Sequence, residues 1–305
     1  MHRRVVLPLS SLALGFVVAG CGGAGNSTPA MTPTDPSSTR SGANAASSPE
    51  LAYKLNPGAN TSLGPLKALS PKSDLDKPIG GAVDKESDKK LAKLGKEGLK
   101  LDTAYNYYVA DAAAPRVNVG ETGATVPLPA DAKANPDGSY WIVDADTRRV
   151  LTLTGVKREE GKPATVAEAP SGDLVHPAAD VAVPPLGLVA RSDEASTGVT
   201  HALRIVAKGV GAEGAPAAGT RVRLKKGVSE KDVPILSRAL VRALKKYGAV
   251  LGAGTGDAPA LSALADVRWT KDDTKAFAGL HMSDFELIAM PEKPAKVAET
   301  AKSAN

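Results

Sequence analysis

The stretch Tyr140-Trp141-Ile142-Val143-Asp144-Ala145-Asp146-Thr147-Arg148-Arg149-Val150-Leu151-Thr152-Leu153-Thr154 sets the character of the chain. Two runs of aromatic and aliphatic, largely β-branched residues, 140–143 and 150–154, flank the turn signal Asp146-Thr147-Arg148. Such residues suit a pleated, half-buried surface, and a polar break between two runs lets the chain reverse. Working outward, similar runs recur at Tyr105–Val109, Arg116–Val119, Thr200–Ala207, Thr220–Leu224, Ala249–Leu251 and Phe285–Ala289. Asn135-Pro136-Asp137-Gly138 and the segment Gly211–Gly219 supply further turns. Many short strands with Gly/Pro turns predict a mainly β, sandwich-like domain.

One segment follows a different period. Leu236, Leu240, Ala243, Leu244 and Tyr247 form an apolar stripe at helical spacing, opposite Arg238, Arg242, Lys245 and Lys246. Ser229 or Asp232 can cap it, Pro234 is tolerated in a first turn, and Gly248 is placed to close it. The spacing predicts one packed amphipathic helix over about 232–247. Its basic face is most simply a solvated side; the other use would be an anionic-ligand site.

Composition narrows the function classes. The 305 residues are 42% hydrophobic and only 4% aromatic, which disfavours a large aromatic-lined cofactor cavity or a base-stacking surface. The formal charge of +5 is spread along the chain, unlike the clustered basic stripe of a nucleic-acid binder. A single Cys excludes a disulfide framework and a Cys-based zinc site. Neither a cofactor nor a metal is expected.

That cysteine ends a distinctive N-terminus. Met1-His2-Arg3-Arg4 precedes an apolar run from Val5 to Val18, then Val18-Ala19-Gly20-Cys21. A charged start, a short apolar core and small residues at its end are the parts of a secretory signal. At about 1.5 Å per residue the run is too short to span a hydrocarbon core of ~30 Å, and it contains Pro8. Val18-Ala19-Gly20-Cys21 resembles the lipobox of bacterial lipoproteins, which implies removal of residues 1–20, acylation of Cys21 and membrane lipid as a partner. The other reading is a free thiol beside an ordinary signal. Without residues 1–20 the chain keeps 36 basic against 33 acidic side chains, so lipid attraction would rest on acyl chains rather than charge.

Residues 21–100 read as a tether followed by a linker. Gly22–Ser48 is Gly, Ser, Thr, Ala, Asn and Pro with few charges, too poor in apolar surface to offset ordering entropy. Its typical reach is about 30 Å at roughly 5–6 Å × √n. Pro57, Pro65, Pro71 and Pro78 then interrupt the chain before a charged run, Asp84–Lys100, that carries Leu91, Leu94 and Leu99. Asp84 can cap a short helix there, weakened by Gly95 and Gly98. The expectation is a solvated, partly helical linker before a β-rich domain at 101–291, with a frayed tail at 292–305.

Candidate chemistry concentrates in Arg191-Ser192-Asp193-Glu194, followed by Gly198 and Thr200-His201-Ala202-Leu203-Arg204-Ile205. Asp193 or Glu194 can meet His201 across a turn and act as base and orienter if both face a cleft. Alternation instead puts His201 on the face of Leu203 and Ile205 as a hydrogen-bonded core histidine, with Arg204 opposite and able to pair with either carboxylate. Gly252-Ala253-Gly254-Thr255-Gly256-Asp257 lacks the third glycine and following helix of a dinucleotide loop, and reads as a turn. Asp144-Ala145-Asp146 begins like a calcium loop but has Arg149 and Gly155 where Gly and Glu are needed. His176, His201 and His281 have no metal spacing, and Asp284-Phe285-Glu286 reads as an exposed edge strand with both acids on one face.

From about Val126 to Ile288 the chain resembles a family of exported bacterial domains of poorly defined function, often found among secreted proteins that act on polysaccharides. The resemblance is carried by Val126-Pro127-Leu128-Pro129, Asp137-Gly138, Val143-Asp144, Asp193-Glu194 with Gly198, His201-Ala202-Leu203-Arg204, Gly219-Thr220-Arg221-Val222-Arg223-Leu224, Ala243-Leu244-Lys245-Lys246-Tyr247-Gly248 and Asp284-Phe285-Glu286. Members carry an acid where this chain has Gly252, and a longer loop where it has Gly211–Ala218. The resemblance implies a mainly β domain and supplies no mechanism. The expected function is a lipid-anchored envelope protein whose domain binds envelope glycan or protein, with no nucleic-acid partner. The rival is a polysaccharide hydrolase or lyase using Glu194 and His201.

Overall fold

The computed structural model describes residues 52–289, apart from 65, 67, 68, 70–72, 161, 175–184 and 232. Cys21, the signal and tether expected before it, His176, Asp232 and the tail at 292–305 lie outside the described residues. The domain is mainly β, with three sheets and four short helices among the described residues.

The first sheet runs β1 (Gly58–Ala59), β3 (Tyr107–Ala110), β6 (Tyr140–Asp144), β7 (Arg149–Leu153) and β9 (Ser171–Asp173). The segment quoted first forms its β6–β7 hairpin, registered from Tyr140↔Leu153 to Asp144↔Arg149. Asp144 Oδ1 accepts from the amides of Asp146 (3.0 Å) and Thr147 (3.1 Å), so the calcium-like motif is an Asx-type turn. A three-stranded sheet, β5 (Thr125–Pro127), β4 (Arg116–Val119) and β8 (Thr165–Val166), packs Val117, Val126 and Val166 onto Tyr108, Ile142, Leu151 and Leu153. This pairing is the sandwich-like part of the molecule. Trp141, Val143 and Val150 bury the opposite face of the first sheet against Leu55, Leu63, Leu174 and Leu186.

The third sheet is larger and mixed. Its order is β14 (Phe285–Leu287), β11 (Arg221–Leu224), β12 (Ala249–Ala253), β10 (Leu203–Ala207), β13 (Ala260–Leu264) and β2 (Lys100–Tyr105). Leu203, Ile205, Val222, Leu224, Leu251 and Leu261 alternate onto one face, which Leu240, Val241 and Leu244 of α3 (Ile235–Lys246) cover. Each such buried side chain contributes about 1.5–3 kcal/mol. The other helices are α1 (Ser87–Leu91), α2 (Ser192–Thr197) and α4 (Lys271–Ala276), which opens with a Thr270–Asp273 capping box. The chain passes from β2 to β3 over Asn106, whose amide donates to Asn135 Oδ1 (2.7 Å) and whose Oδ1 accepts from Asn60 (2.8 Å).

Two expectations need correction. Helix α3 starts at Ile235, not 232, because Pro234 is extended (ψ 154°) and serves as N-cap without a side-chain cap bond. Ser229 instead folds its hydroxyl onto the amide of Lys231 at 3.1 Å. Gly248 does close the helix, at φ +73°, and a Cβ there would lie 2.4 Å from the carbonyl oxygen of Val222.

The second correction concerns the described part of residues 52–100, which belongs to the domain rather than to a solvated linker. Leu55, Leu63, Leu91, Leu94 and Leu99 are all buried. The amide of Ile79 donates to Lys246 O (2.7 Å), Asp84 N to Leu287 O (2.8 Å), and the Arg223 guanidinium to Ile79 O (3.3 Å). Prolines break regular structure without preventing burial, and partners from residues 221–289 satisfy the backbone. Asp84 shapes the turn before α1, accepting from Glu86 N at 2.7 Å, while Glu86 is the N-cap.

Candidate functional site

The Asp193–His201 segment folds back on itself. Arg191 is extended, Ser192–Thr197 makes a short helix, and Gly198 (φ +112°) turns the chain so that His201 returns beneath Glu194. His201 Nε2 lies 3.1 Å from Glu194 Oε2, and its Nδ1 lies 2.8 Å from the carbonyl oxygen of Ala202. Arg191 Nη2 donates to the other Glu194 oxygen. Burial pushes the Glu194 carboxyl up, but the His201 hydrogen bond and the Arg191 charge outweigh it and hold the group below the usual carboxylate range.

The other candidates sit elsewhere. Strand β10 begins at Leu203, so buried His201 precedes the strand rather than lying on its apolar face. Asp193 is exposed and turns back to the amide of Glu194 at 3.0 Å. Arg204 pairs with neither carboxylate of α2; its Nη2 donates to Asp137 Oδ2 at 2.9 Å, and the guanidinium lies 5.7 Å from the Tyr105 ring centroid. The reason is its strand position: alternation sends Arg204 to the face opposite Leu203, toward the first sheet.

Beside α2 is a cavity of about 190 Å³ lined by Asn60, Tyr107, Arg191, Asp193, Asp266 and Arg268, among others. Several of its polar groups are already paired. Asp266 accepts from Ser192 Oγ (2.7 Å) and from Arg268 Nη2 (2.6 Å), and the Arg268 hydrogen bond leads in holding its carboxyl far below the usual range. Burial pushes the Tyr107 phenol up to about 12, and its hydroxyl donates to Thr61 O. Asp266 and Arg268 escaped the sequence reading because nothing in their spacing ties them to Arg191.

A larger cleft, about 600 Å³, opens at the sheet junction, between the six-stranded sheet and the Pro136–Asp137 turn that leads into β6 of the five-stranded one. Lys100, Asp102, Tyr105, Asp137, Val206 and Thr255 line it, with the glycine-rich turn after β12 along one wall. Tyr105 stacks on Trp141 at 5.1 Å and 17°. Gly252 leaves room for Arg204, since a Cβ there would lie 3.3 Å from Arg204 Nε. Ligand pockets typically occupy about 300–1,000 Å³, so this cleft has the necessary size and the smaller cavity does not.

At the far edge, Asp284 and Glu286 do not share an exposed face. Asp284 accepts from His281 N (2.8 Å) in a 3₁₀ turn, while Glu286 pairs with Arg223 at 2.6 Å across β14 and β11, each about one-fifth exposed. His281 Nδ1 is 3.0 Å from Lys96 O. Among the described residues no group of three or more His, Cys, Asp or Glu is arranged to hold a metal ion, and no helix is long and apolar enough to cross a membrane. Comparison with protein-family models, with curated proteins and with solved structures finds no match in any of the three.

Proposed function

We propose that this chain is an acylated envelope protein, anchored through Cys21, whose domain binds envelope glycan without catalysing a reaction. The observation that carries the binding half is the sheet-junction cleft. The Asp102 carboxylate, the Lys100 ammonium and the Thr255 hydroxyl line it beside the apolar surface of Tyr105 and Val206, while the Asp137 carboxylate, also in the lining, is held by Arg204. Sugar hydroxyls donate to carboxylates and accept from ammonium groups, while C–H faces rest on apolar surface. The anchoring half is supported by the order of charges, apolar run and Val18-Ala19-Gly20-Cys21.

The rival reading, a hydrolase or lyase using Glu194 and His201, draws on their 3.1 Å contact. It is weakened because His201 is buried and both its nitrogens face internal oxygens, leaving neither for a substrate proton.

Retention of the 21–305 chain, with Cys21→Ser, on insoluble envelope polysaccharide tests the binding half. Retention that Asp102→Ala with Thr255→Ala abolishes is expected, and absent or unaffected retention overturns it. Turnover of polysaccharide, lost in both Glu194→Gln and His201→Ala with the fold intact, would establish the rival. For the anchor, fatty-acid labelling of the native protein should disappear in Cys21→Ser.

A further inference from the structure

A second concave surface lies between α2 and α3 and has a different chemistry. One wall presents Arg238, Arg242 and Lys246 from the basic face of α3; the other presents Ser196, Thr197 and Thr200, and the cleft measures about 570 Å³. Among the described residues no carboxylate lines it. Nearby Glu230 takes up part of the charge, pairing with Arg242 Nε at 2.8 Å and with Lys245 at 3.0 Å. Lys246 is exposed and, among the described residues, in no ion pair; its ammonium sits 5.0 Å from the Tyr247 ring. Arg238 donates one guanidinium nitrogen to Val233 O at 3.0 Å, and its Nε has no hydrogen-bond partner among the described residues.

We infer that this α2–α3 cleft binds an acidic glycan chain, its carboxylate or phosphodiester groups meeting Arg242 and Lys246 and its hydroxyls meeting the Ser196, Thr197 and Thr200 wall. Two features favour a glycan over an anionic lipid surface. The cations line a recess rather than a plane, and the facing wall carries the hydroxyls of Ser196, Thr197 and Thr200; those of Ser196 and Thr197 donate to Asp193 O and Glu194 O and keep their oxygens to accept from a sugar, which a bilayer plane cannot reach. Ile235, 75% exposed, sits at the same cleft and offers an apolar contact for a sugar ring. This cleft shares no lining residue with the sheet-junction cleft and does not require that cleft to be a site.

The test uses the 21–305 chain with Cys21→Ser, titrated with polygalacturonate, with neutral dextran, and with phosphatidylglycerol vesicles. Polygalacturonate should bind, with affinity falling as salt rises, because solvent-exposed charge pairs are screened. Arg242→Ala with Lys246→Ala, both exposed positions, should bind roughly tenfold more weakly at low salt, with an unchanged melting temperature. Asp102→Ala with Thr255→Ala should leave this binding intact, which separates it from the sheet-junction reading. Equal binding by the Arg242/Lys246 variant, equal binding of dextran, or binding to vesicles alone would overturn the inference.

Discussion

Arg204 on β10 and Asp137 in the turn leading into β6 close an ion pair of 2.9 Å between two different sheets. Only 13% of the Arg204 side chain and 19% of Asp137 remain exposed, so the pair is a clasp rather than a surface contact. Removing one partner of such a pair leaves an uncompensated charge, which costs more than the pair itself contributes. Asp137→Ala should therefore lower unfolding stability by about 2–3 kcal/mol, and Arg204→Met, which keeps the packing over Tyr105, by less. Urea denaturation of the two variants ranks them; the opposite order would mean that packing, not charge, holds this junction.

Glu194 makes a prediction about pH. Its carboxyl titrates below its ordinary value in the folded chain because the His201 and Arg191 contacts outweigh burial. The stabilisation is complete above the unfolded carboxyl range, near pH 4.5, and is lost as pH falls toward the folded value. Glu194→Gln should cost about 2 kcal/mol at neutral pH, and the gap to the parent chain should narrow as pH falls below the ordinary carboxyl range. Denaturation midpoints measured from pH 7 to pH 3 follow the closing gap; a constant offset would remove the charge from the explanation.

How much of this could be read beforehand depends on the reach of each interaction. The β6–β7 hairpin and the Gly248 helix stop are local, and periodicity with turn chemistry is enough to place them. The meeting of Glu194 with His201 also follows from a local turn at Gly198. Helix α2 itself is hidden, since Ser, Thr and Asp compete with the backbone and favour turns over helix. Strand β13 is hidden too: Ala260-Leu261-Ser262-Ala263-Leu264 has no β-branched residue, and its place between β10 and β2 is settled by pairing, not propensity. Arg204 could be sent to a face by alternation, but its partner Asp137 sits in the turn before β6, 67 residues away.

Gly248 carries the sharpest local prediction. Its backbone is left-handed at φ +73°, and the nearest atom to an added Cβ is Val222 O at 2.4 Å, which belongs to the sheet and cannot swing aside. Gly248→Ala thus adds backbone strain to a collision between α3 and β11, together about 2–4 kcal/mol. Thermal melting should show a loss well beyond that of Gly198→Ala, where φ is also positive but no atom lies within 4 Å of the added Cβ.

The last prediction concerns where the folding unit starts. A reading by composition would begin the domain at Leu101, yet Leu91, Leu94 and Leu99 are 0%, 1% and 0% exposed in the core that α3 covers. Leu→Ala at a fully buried site usually costs about 2–5 kcal/mol, against a total stability of only about 5–15 kcal/mol for a typical domain. Deleting residues 52–100 removes all three leucines, together with Leu55 and Leu63 from the second core cluster. It also strips the backbone partners of Leu287 and Lys246. A chain of residues 101–291 should therefore fail to fold cooperatively, whereas residues 47–291 should melt in a single transition. Circular dichroism of the two fragments decides the point: a cooperative melt from the shorter one would mean that the leucines pack onto a core already complete without them.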